Sequence, residues 1–185
     1  MSLALLIAAA IALFGILIYN SLARLRLLAR NAWSDIDVQL KRRHDLVPNL
    51  VAAVKGQAGY EKGTLEAVVD ARSRAMQAAG PAAAGQAEQA LGDSVRQLMA
   101  LAEAYPDLKA GESYLSLQRS LTEIEDHIQN ARRYYNAVVR DFNTAIAQFP
   151  SNLVAGLLRF RPREFFGLSD ESEQTPPAVD VGAGP

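Results

Sequence analysis

The 185-residue chain carries 19 basic and 20 acidic side chains, is half hydrophobic and 7% aromatic, and has no cysteine. That length leaves room for one domain beside an anchor. The near-zero charge gives no general attraction to nucleic acid, and without thiols there can be no disulfide, thiolate nucleophile or cysteine-based metal site. Ala and Leu supply much of the hydrophobic fraction, which favours helices, so the expected class is all-α.

From Leu3 to Ile18 the chain reads LALLIAAAIALFGILI, with no polar side chain, and the first charged side chain is Arg24. A bilayer span takes about 20 residues at roughly 1.5 Å each, and Tyr19 to Leu22 complete the length through the interface. Residues 1–22 therefore read as a transmembrane anchor, with Leu3, Leu6, Ile11, Phe14 and Ile18 facing lipid. A cleaved signal peptide would want a basic stretch before the apolar run and a better small-x-small site than Ser21-Leu22-Ala23. A buried helix apolar on every face would need more protein around it than the rest of the chain offers. Arg24, Arg26 and Arg30 follow the apolar run closely. The positive-inside rule then puts the N-terminus outside and the larger part in the cytoplasm.

Residues 23–150 carry helical periodicity. Leu22, Leu25, Ala29, Ala32, Ile36 and Leu40 recur at three- and four-residue steps without Gly or Pro between them, so the anchor is expected to run on into a bundle. Asp35, Asp37, Lys41, Arg42 and Arg43 fall on its polar side. Pro48 removes a helical donor, which predicts a kink over His44 to Pro48 or a new start capped by Asp45. Beyond it Leu50, Val54, Leu65 and Val68 extend the stripe across Gly56, Gly59 and Gly63, which weaken helix continuity. The stretch AAGPAAAG over residues 78–85 reads as a loop, followed by a helix from about Gln86 to Tyr105 and a turn framed by Pro106 and Gly111.

The most regular element comes next. Tyr114, Leu117, Leu121, Ile124, Ile128, Ala131, Tyr135, Val138, Phe142, Ala145 and Phe149 alternate steps of three and four, a spacing of coiled-coil quality. Such a seam is expected to serve as the spine of an antiparallel bundle; the alternative, a self-associating seam between chains, has the same spacing. After Pro150, residues 151–168 form a short amphipathic segment in which Arg159, Arg161 and Arg163 interleave with Leu157, Leu158, Phe160 and Phe165. This segment suits an anionic membrane surface or a partner groove, or else caps the bundle end. Residues 169–185 are acidic and rich in Pro and Gly, without periodicity, and read as a disordered tail.

No catalytic residue, cofactor site or metal site is expected. His44 and His127 lie far apart in sequence, and Glu123, Glu125 and Asp126 read as a solvated helix face. No GxGxxG, GxxxxGK[ST], GxSxG or HExxH motif occurs. The cluster Lys41-Arg42-Arg43-His44 lacks interleaved aromatics and is flanked by Asp35, Asp37 and Asp45, which reads as a salt-bridged face or attraction to anionic headgroups.

The blocks NAWSDIDVQLKRRHDLVPNLVAAVKGQAGYEKGTLEAVVDARSRA and EAYPDLKAGESYLSLQRSLTEIEDHIQNARRYYNAVVRDFNTAIAQFPSNLVAGLLRFRPREFF resemble the LemA family of bacterial membrane proteins. The likeness covers nearly everything from Tyr19 to Phe166. It implies one membrane helix in the bacterial inner membrane, a short outer N-terminus and a cytoplasmic helical bundle, and it carries over no catalytic residue. The expected role is a non-enzymatic scaffold or regulatory protein whose partners are the lipid bilayer, further copies of itself and other membrane proteins. No nucleic acid and no small-molecule substrate are expected. The alternative is a lipid-organising protein acting through its C-terminal segment.

Overall fold

A computed structural model describes residues 3–56 and 62–167. It comprises six helices: α1 (Leu3–Lys55), α2 (Lys62–Gln77), α3 (Pro81–Ala102), α4 (Pro106–Lys109), α5 (Glu112–Ala147) and α6 (Ser151–Leu157). No strand occurs among the described residues, and the class is all-α.

Helix α1 is 53 residues long, which at 1.5 Å per residue is about 80 Å. Its most apolar window of 18 residues has no side chain buried in the protein. Leu22 is the first buried position, and Ala29, Ala32, Ile36, Leu40, Arg43, Val47, Leu50 and Val54 then turn inward. These follow one another at three- and four-residue steps from Ala29 onward, the period that keeps one helix face against a core. Apolar run and bundle helix are therefore one element.

The new start at Asp45 does not occur, because α1 passes through Pro48 without ending. Proline has no N–H to offer the carbonyl four residues earlier, that of His44. Arg72 on α2 replaces the missing donor, its Nε donating to the His44 carbonyl at 2.7 Å. Helix α3 also departs from expectation, starting at Pro81 rather than near Gln86. Pro suits the first helical position and the alanines after it are strong helix formers, so the loop shrinks to Ala78–Gly80. The turn between Pro106 and Gly111 is a single helical turn, α4. Gly59 lies outside the described residues, as does the tail over 169–185; Gly63 sits inside α2.

Helices α1 and α5 run antiparallel, since Trp33 packs at a tilt against Tyr135 while Arg43, ten residues further along α1, meets Glu125, ten residues earlier on α5. Helices α2 and α3 pack on each other and on the distal half of α1. Two hydrophobic clusters result. The distal one joins Val47, Leu50, Val54, Val68, Leu91, Leu98, Tyr114 and Leu121. The membrane-proximal one joins Ala29, Ile36, Ile128, Tyr135, Val139 and Phe166. The α5 seam closes largely inside the chain, with Leu121, Ile124, Ile128, Tyr135, Val138 and Phe142 buried and Leu117 half-buried. Phe149 lies beyond the end of α5 and is 79% exposed.

Candidate functional site

Between the two clusters lies a layer of charge. Arg43 and Glu88 are only 7% and 4% exposed, and they are the buried charged residues of the described chain. Arg43 stands in the apolar stripe of α1, three residues after Leu40 and four before Val47, so the helix carries it inward. Glu88 occupies the equivalent place on α3, between Ala84 and Leu91. Arg43 Nη1 faces Glu88 Oε2 at 3.6 Å and Nη2 meets Glu125 Oε2 at 3.0 Å. His44 Nε2 is hydrogen-bonded to Glu88 Oε1 at 2.5 Å, and Gln129 donates to Glu125 Oε1 at 2.8 Å. Burial without such partners would be costly for either charge, and mutual pairing meets most of that cost.

Two glycines on α3 make room, Gly92 for the charge layer and Gly85 for the C-terminal segment. A Cβ on Gly92 would lie 2.8 Å from Arg43 Nη2, and one on Gly85 would lie 2.1 Å from the backbone nitrogen of Gly167. At Gly85 only the missing side chain permits the approach, whereas at Gly92 the end of the Arg43 side chain would have to shift. Beside the layer opens a polar cavity of about 390 Å³ lined by Arg43, Glu88, Gln89, Glu125, Gln129 and Arg132.

At the membrane-proximal end, the chain after α6 runs back along α5 as an extended strap from Phe160 to Gly167. Asn143 grips Arg163 through its backbone in both directions, donating Nδ2 to the carbonyl at 2.9 Å and accepting the N–H at 2.9 Å. Asn136, one heptad earlier, does the same to Phe166 at 3.1 and 2.9 Å. The Tyr135 hydroxyl donates to the Glu164 carbonyl at 2.9 Å, and Arg132 Nη2 to that of Gly167 at 3.0 Å. Burial pushes the Tyr135 phenol above its ordinary value, against a smaller opposing effect of Arg163, so it remains a donor.

These facts redistribute the residues singled out in the sequence. Leu3, Leu6, Ile11 and Phe14 are exposed along α1 with Ile18 half-buried, and Arg24, Arg26 and Arg30 are exposed just beyond them. Of the C-terminal set, Leu157, Leu158, Arg159 and Arg161 are exposed. Phe165 is half-buried and packs against the cluster that contains Phe166. Arg163 is half-buried and its backbone is held by Asn143. Phe160 lies edge-on to Tyr19, with ring centroids 6.1 Å apart, and beneath the Arg26 guanidinium at 5.7 Å. The cluster Lys41-Arg42-Arg43-His44 is not one surface patch: Lys41 and Arg42 point out, Arg43 and His44 in. Glu125, still partly exposed, pairs with Arg43 from the edge of the solvated face, because burial of Arg43 demands a counter-charge.

Arg43, Glu88, Asn136 and Asn143 were the residues missed, although each left a sequence signal. The two charges interrupt otherwise apolar helical stripes, and the two asparagines follow seam aromatics, Tyr135 and Phe142, exactly one heptad apart in the words YN and FN. Among the described residues no group of three or more His, Asp or Glu side chains converges as a metal site. The members of the charge layer pair with one another, leaving only Glu88 Oε2, 3.6 Å from Arg43, without a hydrogen bond, and the layer reads as a device that holds helices in register.

Fold and site together define a class: a long-helix antiparallel bundle built on a single N-terminal helix that is apolar and long enough to cross a membrane. Within that class the match to known proteins is specific, since residues 32–181 match the LemA family, and the chain belongs to it. It is 25% identical over 174 residues to the magnetosome protein MamQ of Magnetospirillum gryphiswaldense, covering 80% of this chain and 64% of that protein. It is 26% identical over 159 residues to magnetosome protein MamQ 2 of Paramagnetospirillum magneticum, covering 72% and 58%. It is 30% identical over 137 residues to protein LemA of Metamycoplasma hominis, covering 74% and 63%. The chain thus spans less than two thirds of the length of these relatives. None of their names denotes an enzymatic activity.

Proposed function

We propose that the protein is a non-enzymatic, membrane-anchored scaffold that self-associates and presents its bundle to other proteins at the cytoplasmic membrane surface. The observation that carries this reading is the continuity of α1. One helix supplies both the apolar span and the face on which α5 packs, so the position of the anchor in the bilayer sets the orientation of the bundle. Arg24, Arg26 and Arg30 support a cytoplasmic bundle by the positive-inside rule. Membership of a family whose magnetosome relatives carry no enzymatic name supports a structural role over catalysis.

The test exchanges residues 1–22 for an unrelated anchor joined by a flexible linker. Membrane attachment should persist while crosslinked assemblies in the membrane disappear. Undiminished assembly would reduce the anchor to a tether, and a native protein that sediments only as a monomer, with no crosslinked partner, would end the scaffold reading.

A second reading, organisation of lipid by the C-terminal segment, draws support from one observation. Phe149, Leu153, Leu157 and Leu158 are 79%, 64%, 83% and 48% exposed, and they cluster around α6, which packs against α1 and α5. Such a patch beside a membrane anchor suits the bilayer interface.

A further inference from the structure

Where α1 emerges from its apolar run, it shares a cleft of about 200 Å³ with the strap, lined by Tyr19, Ala23, Arg26, Leu27, Arg30 and Phe160. We propose that this cleft is a site for the phosphate of an anionic lipid headgroup; the proposal rests on α1 crossing the bilayer.

Depth is the first argument. A hydrocarbon core of about 30 Å takes roughly 20 residues of helix, so a span beginning near Leu3 ends near Leu22. Arg26 then lies about 6 Å beyond it along the axis, within the headgroup layer, and Arg30 about one turn further. Side chains on a helix lean toward its N-terminus, which for α1 is back toward the bilayer, so both guanidinium groups are carried to phosphate level. Tyr19 sits at the boundary where amphipathic aromatics collect.

Charge is the second argument. Arg26 and Arg30 are one turn apart on the same face, and among the described residues no carboxylate lies within ion-pairing distance of either. Guanidinium forks bind phosphate through paired N–H donors, and two on one face can grip a single group.

The third argument is the wall. Phe160 is fixed edge-on against Tyr19 at 6.1 Å and near Phe142 at 6.3 Å, and the Arg26 guanidinium lies over its ring at 5.7 Å. This contact orients Arg26 before any ligand arrives, which lowers the ordering cost of binding. The exposed Leu157 and Leu158 lie only two to three residues before Phe160, where acyl chains would meet them.

The test measures lipid co-purified with the full-length protein, extracted gently from vesicles of equimolar phosphatidylglycerol and phosphatidylcholine and weighed by native mass spectrometry. Wild-type protein should retain phosphatidylglycerol preferentially. Arg26→Ala and Arg30→Ala should each reduce that preference by about fivefold, the worth of one basic residue near a charged surface. Phe160→Ala should reduce it less, while all variants stay in the membrane fraction with unchanged helix content. Removing two exposed charges elsewhere, in Lys41→Ala with Arg42→Ala, should leave it intact. Equal retention of both lipids by the wild type, or an equal loss in the Lys41/Arg42 control, would overturn the site. Displacement of the lipid by millimolar inorganic phosphate would reassign the cleft to a soluble anion. Failure of the anchor itself would show separately, as protein in the soluble fraction.

Discussion

Arg43 and Glu88 show what a single residue does when helical periodicity carries a charge into a core. Removing one partner strands the other, and breaking a buried pair in this way costs about 3–5 kcal/mol. Arg43→Ala is expected to destabilise the bundle by an amount at the lower end of that range, since Glu125 on its far side is partly exposed and His44 still holds Glu88. Replacing the pair together, Arg43→Met with Glu88→Leu, should restore most of the loss. Denaturant melts of the two variants check this, and equal losses would mean that the layer is not held by mutual pairing. The buried tyrosines act at the opposite end of the pH scale. Burial raises Tyr135 and Tyr114 above the ordinary 10.0, so the folded chain keeps phenolic protons that the unfolded chain gives up. Their contribution is complete below about pH 10 and fades as pH rises through the folded values. The chemical stability curve should therefore fall above pH 10, and Tyr135→Phe should flatten that fall while costing about 1 kcal/mol at neutral pH through the lost bond to the Glu164 carbonyl. An unchanged alkaline slope would assign the fall to other groups.

At the scale of elements, α1 survives an internal proline because α2 supplies the donor that the proline lacks. The two residues should therefore be energetically coupled. Arg72→Ala in the wild-type background orphans the His44 carbonyl, which costs about 1–3 kcal/mol. With Pro48→Ala, the restored N–H satisfies the same carbonyl, so the cost of Arg72→Ala should fall well below that figure. A double-mutant cycle with no coupling would show that Arg72 matters for its packing alone. The strap illustrates the same dependence between elements. It has no regular structure of its own, and its backbone groups are met by Asn136, Asn143, Tyr135 and Arg132 from α5. Gly85 lets it lie against α3, because any Cβ there would meet strap backbone rather than a movable side chain.

For the whole molecule, the consequence of an unbroken α1 is rotational as well as positional. Inserting two alanines after Ser21 turns the anchor by about 200° relative to the bundle, whereas seven alanines return it close to its original phase. If self-association uses anchor and bundle together, crosslinking in membranes should be lost with two alanines and recovered with seven. Loss with both, or with neither, would mean that phase is not transmitted.

Hydropathy alone identified the apolar first half of α1, because such a run shows in composition whatever surrounds it, and heptad spacing alone identified α5, because that period keeps one face turned to neighbours. The continuation of α1 past Arg24 was equally legible from Leu22 to Leu40. Tertiary structure decided the rest. The fate of Pro48 depended on a donor 24 residues away, the start of α3 on whether short alanine-rich turns had something to pack against, and the course of the strap on the asparagines of α5. The distinction between Arg43 and Arg42, adjacent and chemically identical, is the plainest case. A sequence records which residues share a helix face, but what that face meets, and so whether a charge there is solvated or paired, is settled only when the helices come together.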